Sequence, residues 1–322
     1  MTFAQLAEYF HKIEETSSRL TITEIVAELF RDLTPEESRQ VSYLLMGRIA
    51  PLYDGKEFGM GAKLVDQATI KGLSIDPKEY MQKRSQLGDG GLTAQWYKRE
   101  QGHKPSNLSI GEVYSCLKRL TTLSGGQSQI QKIGQLADLI KEVGPLEARY
   151  LARIPANTLR LGFSDMTLLD AYSWMLAGNK SLRAEIEKAY HVSPDLGAIA
   201  FQLKKEGIKG LAHCIPQAGV PILMMKAERT SSPSDALGKL TEALIESKYD
   251  GFRLQIHKKG SLVRLFSRGL EDVTQMYPDI VKGVHDEIKV HTIIFEGEAL
   301  GYNNKTNTFL PFQETSQRKR KV

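Results

Sequence analysis

Residues 246–266 read Glu246-Ser247-Lys248-Tyr249-Asp250-Gly251-Phe252-Arg253-Leu254-Gln255-Ile256-His257-Lys258-Lys259-Gly260-Ser261-Leu262-Val263-Arg264-Leu265-Phe266. From Phe252 onward the apolar residues fall at every second position: Phe252, Leu254 and Ile256 alternate with Arg253, Gln255 and His257. A period of two places the two sets on opposite faces of an extended strand. A turn over Lys258-Lys259-Gly260-Ser261 follows, and Leu262 to Phe266 runs back, which is a β-hairpin pattern. His291 to Leu300 reads as another strand. The stretch therefore predicts an α+β region built on an antiparallel sheet.

Upstream of the hairpin the grammar is different. Thr34-Pro35-Glu36-Glu37 carries a capping box, in which the threonine side chain caps a helix and the glutamate three residues on reaches back. Its proline sits at the first helical position, where a missing N–H costs nothing. Ser109-Ile110-Gly111-Glu112 repeats the pattern, and Asp76-Pro77-Lys78-Glu79 repeats it with aspartate as the cap. Gly144-Pro145 and Gly207 read as helix stops. Between these marks Ile133, Leu136, Leu139 and Ile140 recur at steps of three and four, as do Leu168, Leu169, Tyr172 and Met175. These stripes are read as core. The change of period predicts an all-α domain over residues 1–219 and an α+β domain over residues 220–322.

The bulk properties fit two such domains. The chain has 322 residues, 41% hydrophobic and 25% charged, which is ordinary for a globular protein. A net charge of +5 permits a polyanionic partner without requiring one. Cys116 and Cys214 match no metal spacing and read as small core fillers in a reducing compartment. The seven histidines form no ligand pair. The N-terminal stretch lacks the apolar run of a secretory signal, and no segment reads as a membrane span. A cytoplasmic location without membrane contact is the expectation.

The chemistry is concentrated near Lys248, which lies beside an acidic residue and a turn glycine, with Arg253 five positions on. A lysine that attacks phosphorus must shed its proton, through burial or a neighbouring cation. A salt-bridged surface lysine before a tight turn fits the short segment equally. The downstream order decides between them. Leu265-Phe266-Ser267-Arg268-Gly269-Leu270-Glu271-Asp272-Val273-Thr274 comes first, then Tyr277-Pro278-Asp279-Ile280 and Ile294-Phe295-Glu296-Gly297-Glu298-Ala299. Pro311-Phe312-Gln313 and Arg318-Lys319-Arg320-Lys321 complete the series. Taken together, it resembles the nucleotidyltransferase motifs of ATP-dependent DNA ligases of the archaeal and eukaryotic replicative type. The resemblance extends into the helical half through Tyr53-Asp54-Gly55-Lys56-Glu57-Phe58-Gly59-Met60-Gly61 and Leu87-Gly88-Asp89-Gly90-Gly91. It continues through Ser124-Gly125-Gly126-Gln127-Ser128-Gln129 and Leu159-Arg160-Leu161-Gly162.

That resemblance implies an all-α DNA-binding domain followed by an incomplete α+β adenylation (nucleotidyltransferase) domain. It implies that Lys248 attacks the α-phosphorus of ATP, forming lysyl-AMP and releasing pyrophosphate. AMP then passes to the 5′-phosphate of a nick, and the 3′-hydroxyl displaces it. Glu246 would accept from the adenine amino group, Arg253 and Arg268 would offer forks to phosphate and ribose oxygens, and Glu298 would sit beside Mg²⁺. Glu296, two residues away on the same strand face, replaces an aspartate common in the family, and its role stays open. The helical domain would hold nicked double-stranded DNA by its phosphates. Gly88, Gly90, Gly91, Gly125, Gly126 and Ser128 are candidates because glycine-rich turns that open helices present bare N–H groups to an anion. Arg119, Lys132 and Arg160 are the supporting charges.

Two further segments invite assignment. Gln5 to Phe10 is similar to a sliding-clamp peptide, but Leu6, Tyr9 and Phe10 fit a core-facing helix better, so a sliding clamp stays an open partner. The run Arg318 to Val322 resembles a nuclear signal, yet in this family it is internal to the ligase sequence. Ligases of this kind continue beyond the basic run with further motifs and an OB-fold. The expectation is a ligase seen in part, completed by continuing sequence or by a second chain and not competent for ligation alone. A non-catalytic DNA-binding ligase remnant is the alternative. RNA ligases, capping enzymes and NAD-dependent ligases share the lysine motif, but the helical half argues against them.

Overall fold

The computed structural model describes residues 1–159, 161–225, 227–240 and 242–316. They form two compact units, Met1–Tyr190 with Asp195–Ile215, and His191–Pro194 with the chain from Pro216 onward. Arg160 and the basic run Arg318 to Lys321 lie outside the described residues.

The first unit is helical. It runs through α1 (Phe3–Glu14), α2 (Arg19–Asp32), α3 (Pro35–Leu45) and α4 (Ala62–Leu73). Then come α5 (Pro77–Leu87), α6 (Gly90–Glu100), α7 (Ile110–Thr122) and α8 (Ser128–Glu142). It continues with α9 (Pro145–Arg153), α10 (Asp165–Ala177), α11 (Arg183–Val192) and α12 (Leu196–Glu206). The sequence starts these helices as read. Thr34 with Glu37 and Ser109 with Glu112 close reciprocal capping boxes. Asp76 accepts from the Lys78 and Glu79 amides, but no reciprocal bond from Glu79 is present among the described residues. Gly144 belongs to the start of α9, with Pro145 at its first position, and Gly207 ends α12 at φ +62°.

Leu136, Leu139 and Ile140 are buried on α8, as are Leu168, Leu169 and Tyr172 on α10, while Ile133 and Met175 are half-buried. Leu6 and Phe10 lie in the core of α1, and the half-buried Tyr9 places its hydroxyl on Glu28. That segment is used for packing. Cys116 and Cys214 are free and only half-buried, so neither is a true core filler. A Cβ on Gly72 would stand 2.5 Å from the Ala137 carbonyl oxygen, so the glycine lets α4 pack closely against α8.

The second unit contains β1 (Phe252–Lys259), β2 (Leu262–Ser267) and β3 (Thr292–Ala299) in the order β2-β1-β3, all antiparallel. The turn is shorter than the sequence suggests. Lys259 still pairs with Leu262, leaving Gly260-Ser261 as a two-residue loop with Gly260 at φ +59°. Short helices α13 (Pro233–Lys239) and α15 (Phe312–Ser316), the longer α14 (Pro278–Glu287), and a small hairpin of β4 (Tyr302–Asn303) and β5 (Thr308–Phe309) complete it.

One sheet face is apolar. Leu254, Ile256, Val263 and Leu265 pack with Val273, Tyr277 and Val284, so the face turned toward α14 forms this unit's core. Burying each large side chain contributes about 1.5–3 kcal/mol. Lys258 sits on that same face and is reconciled with it because its ammonium donates to the carbonyls of Ile288 (2.6 Å) and Val290 (3.0 Å). Among the described residues no helix is long and apolar enough to cross a membrane.

Candidate functional site

The opposite face of the sheet is polar. Registration places Arg253 across from Glu298, Gln255 across from Glu296, and His257 across from Arg264. Directly paired residues share a face, so all six point to one side, with Glu296 and Glu298 together as read from the sequence.

This face is partly covered, which the alternation alone does not reveal. Gln255 is 3% exposed and His257 2%. The chain around Gly219 to Ile222 lies over them. The Gly219 N–H donates to His257 Nδ1 at 3.0 Å, and Ile222 bonds Gln255 through both its N–H (2.6 Å) and its carbonyl (3.2 Å). The Gln255 amide nitrogen also donates to Glu296 Oε1 at 3.0 Å. The other Glu296 oxygen accepts from the Arg253 guanidinium. Burial works to raise the Glu296 carboxyl, but hydrogen bonds from Arg253 and Gln255 hold it below its ordinary value. Burial and the nearby Arg264 charge push His257 down to about 4, against the opposing pull of a Gln217 backbone oxygen.

Glu246 and Lys248 lie in an exposed segment without regular structure, four residues before β1 begins in the case of Lys248, so the lysine is not itself at a strand edge. At Gly251 the chain runs close against the end of β3. A Cβ there would lie 2.7 Å from the Ala299 carbonyl oxygen and 2.8 Å from Glu298 Cγ. Lys248 is three residues away, which is at most about 11 Å of extended chain. Arg268 is exposed in the turn after β2, and Glu298 is exposed on β3. Among the described residues Glu246, Lys248, Arg268 and Glu298 make no ion pair, whereas Arg253 and Glu296 satisfy each other.

The helical unit alters the reading of its candidates. Gly88 ends α5 at φ +69°, and α6 starts at Gly90 under Asp89. The Asp89 carboxylate accepts from the Leu92 amide and from Arg153 Nε (3.0 Å), so an anion already occupies that helix start. Arg153 in turn meets Glu14 at 2.8 Å. A Cβ on Gly91 would lie 2.4 Å from the Arg149 carbonyl oxygen, which makes Gly91 a packing position between α6 and α9. Lys132 is buried, and its ammonium donates to the Phe58 carbonyl at 2.6 Å. Its burial, with one ammonium donor already spent on an internal carbonyl, sets it apart from the exposed supporting charges. Gly125 and Gly126 are exposed, and α8 begins at Ser128 without a side-chain cap. Arg119 is exposed on α7, with its guanidinium 3.0 Å from Cys116 Sγ.

Comparison with known proteins agrees with this arrangement. The family model described as DNA ligase N terminus matches residues 2–173, and that described as ATP dependent DNA ligase domain matches residues 224–322. The chain belongs to the ATP-dependent DNA ligase family. It is 41% identical over 321 residues to a probable DNA ligase of Dictyoglomus thermophilum. It is 39% identical over 332 residues to DNA ligase 2 of Thermofilum pendens, and 38% identical over 333 residues to a DNA ligase of Sulfurisphaera tokodaii. Each alignment covers all of this chain and 55–56% of the relative, so the chain spans about half the length of these curated ligases.

Gln255 and His257 are the residues that sequence reasoning passed over, since alternate polar positions read as a solvated face. The usable signal lay in residue type. A strand face facing water is normally lined by long charged side chains, and a glutamine and a histidine with fixed donor and acceptor ends suit burial better.

Proposed function

We propose that this chain carries the nucleotide-accepting half of an ATP-dependent DNA ligase and that Lys248 takes AMP from ATP, which the whole protein transfers to a nick before sealing it. One observation carries the reading beyond family membership. Arg253 and Glu298 face each other on the polar side of the sheet, and at Gly251 the chain leading from Lys248 runs close against Glu298 and Ala299.

The residues present fit a nucleotide. Glu246, Lys248, Arg268 and Glu298 are charged, exposed and without ion pairs among the described residues, so they are available to a ligand. Arg268 offers a planar fork to phosphate oxygens, and Glu246 accepts from an amino group. Neutral Lys248 attacks the α-phosphorus, and pyrophosphate leaves. The described residues contain no cluster of three metal-ligating side chains. Mg²⁺ binds through one or two carboxylates together with substrate phosphates. Glu298 is the residue that would hold it, and the ion would offset charge on the transferring phosphoryl group.

The helical unit grips nicked duplex. The uncapped start of α8, from Gly125 through Ser128, receives a backbone phosphate, with the exposed Arg119 as a further charge. A chromosomal substrate agrees with the cytoplasmic location expected from the sequence. Intact mass spectrometry after incubation with ATP and Mg²⁺ tests the central claim. An added AMP that is absent in Lys248→Ala supports it. No adduct on the wild-type chain removes the adenylation claim for this chain alone and fits either a DNA-binding remnant or an incomplete enzyme.

A further inference from the structure

We infer that Gln255 and His257 are positioning residues for nucleotide transfer, forming a hydrogen-bond relay from the Gly219–Ile222 segment to Glu296, which accepts in turn from the Arg253 fork. The inference rests on the ligase reading for what the fork serves, while the relay itself rests on geometry.

Each link has only one chemically allowed sense. Gly219 N–H can only donate, so His257 Nδ1 is the acceptor, and a neutral ring must then carry its proton on Nε2. That Nε2 lies 2.8 Å from Gln255 Oε1 and donates to it. The same oxygen accepts from Ile222 N–H, which again can only donate. The Gln255 amide nitrogen must therefore point the other way, where it finds two pure acceptors, the Ile222 carbonyl and Glu296 Oε1. Glu296 accepts there and offers its other oxygen to Arg253. Ile222 fixes the amide orientation through its N–H and carbonyl, and Gly219 N–H with Gln255 Oε1 favours the Nε2-protonated neutral ring over the opposing pull of the Gln217 backbone oxygen.

The relay supplies the role left open for Glu296. Arg253 is a long side chain about half exposed in the ion pair, and one carboxylate alone would let it swing. Glu296 is itself held by Gln255, Gln255 by Ile222 and His257, and His257 by Gly219. The fork is thus set before a nucleotide arrives, and preorganised charges of this kind act without reorientation during reaction. Arg253 and Glu298 are the charged groups facing Glu296, and Arg264 is the one beside His257.

Two substitutions separate the links. In His257→Asn the side-chain oxygen stands where Nδ1 stood and keeps the Gly219 bond, but nothing donates to Gln255. In His257→Gln the amide nitrogen stands where Nε2 stood and restores that donation. Both replace a buried ring, so a general loss of packing affects them alike. The first readout is solvent exchange of the Gln255 side-chain amide protons, followed by NMR in the full chain. We expect faster exchange in His257→Asn than in wild type, and exchange returned toward wild type in His257→Gln. The second is the rate of AMP addition to Lys248, expected to fall about tenfold in His257→Asn and to recover to within about threefold in His257→Gln. Equal behaviour of the two variants, or Gln255 amide exchange unmoved in both, overturns the relay. If the wild-type chain forms no AMP adduct, the adenylation claim fails for this chain alone, and the Gln255 amide exchange still decides the relay.

Discussion

His257 is nearly sealed from solvent on a sheet face that also carries the Arg264 guanidinium, and a neutral ring is the form that suits the site. Its folded value of about 4 lies below the ordinary 6.5. Above pH 6.5 neither the folded nor the unfolded ring is protonated, and the group has no effect on stability. As pH falls from 6.5 toward 4 the unfolded chain takes up a proton that the folded one refuses, so stability declines through that window and levels off below it. Denaturant midpoints compared between wild type and His257→Asn should converge as pH is lowered across the window, while a constant gap would contradict the assignment. Lys132 has a different fate. Because it is an internal donor to Phe58, Lys132→Ala should cost about 1–3 kcal/mol of stability by leaving that carbonyl unpaired. The salt dependence of nicked-duplex binding should stay as in wild type, and a flatter salt slope would return Lys132 to the interface.

Among elements, the start of α8 is the one with opposing demands. Ser128→Asp places a carboxylate at an uncapped helix start and should stabilise the fold by about 0.3–1 kcal/mol. The same charge should weaken binding to nicked duplex roughly threefold to tenfold at low salt. Thermal melting and fluorescence anisotropy on one variant test both signs, and tighter or equal DNA binding would take the phosphate away from α8. The contrast with α6 shows what a sequence can reveal. Both helices follow a glycine-rich turn, and both read as anion sites. Only the structure shows that Asp89 already fills one of them, because its partner Arg153, and Glu14 that pairs with Arg153, come from distant positions. Local signals were legible throughout: the capping boxes of α3 and α7, the period-two hairpin, and the strand near His291. What depended on non-local contacts was not, namely the burial of Lys132, the packing role of Gly91 and the covering of the polar sheet face. The β4–β5 hairpin was missed for a related reason, since its two-residue strands are too short to display a period.

In the whole molecule, the proposed reaction divides between a helical unit, assigned the phosphate backbone, and a sheet-bearing unit, assigned the nucleotide. The family match follows the same division, with separate models meeting residues 2–173 and 224–322. The candidate catalytic residues are not gathered in one loop. They come from the exposed segment before β1, from β1 itself, from the turn after β2 and from β3. One feature of that sheet reaches beyond its chemistry. Among the described residues β3 bonds to β1 along one side and to no strand along the other. In an antiparallel pair, successive residues turn their amides alternately inward and outward. Transferred into heavy water, β3 should therefore exchange in a comb pattern, every second amide deuterating quickly while its neighbours keep their protons as long as the central strand does. Loss of the comb, with the fast teeth becoming slow when another polypeptide is added, would mark the moment at which this edge acquires a neighbour.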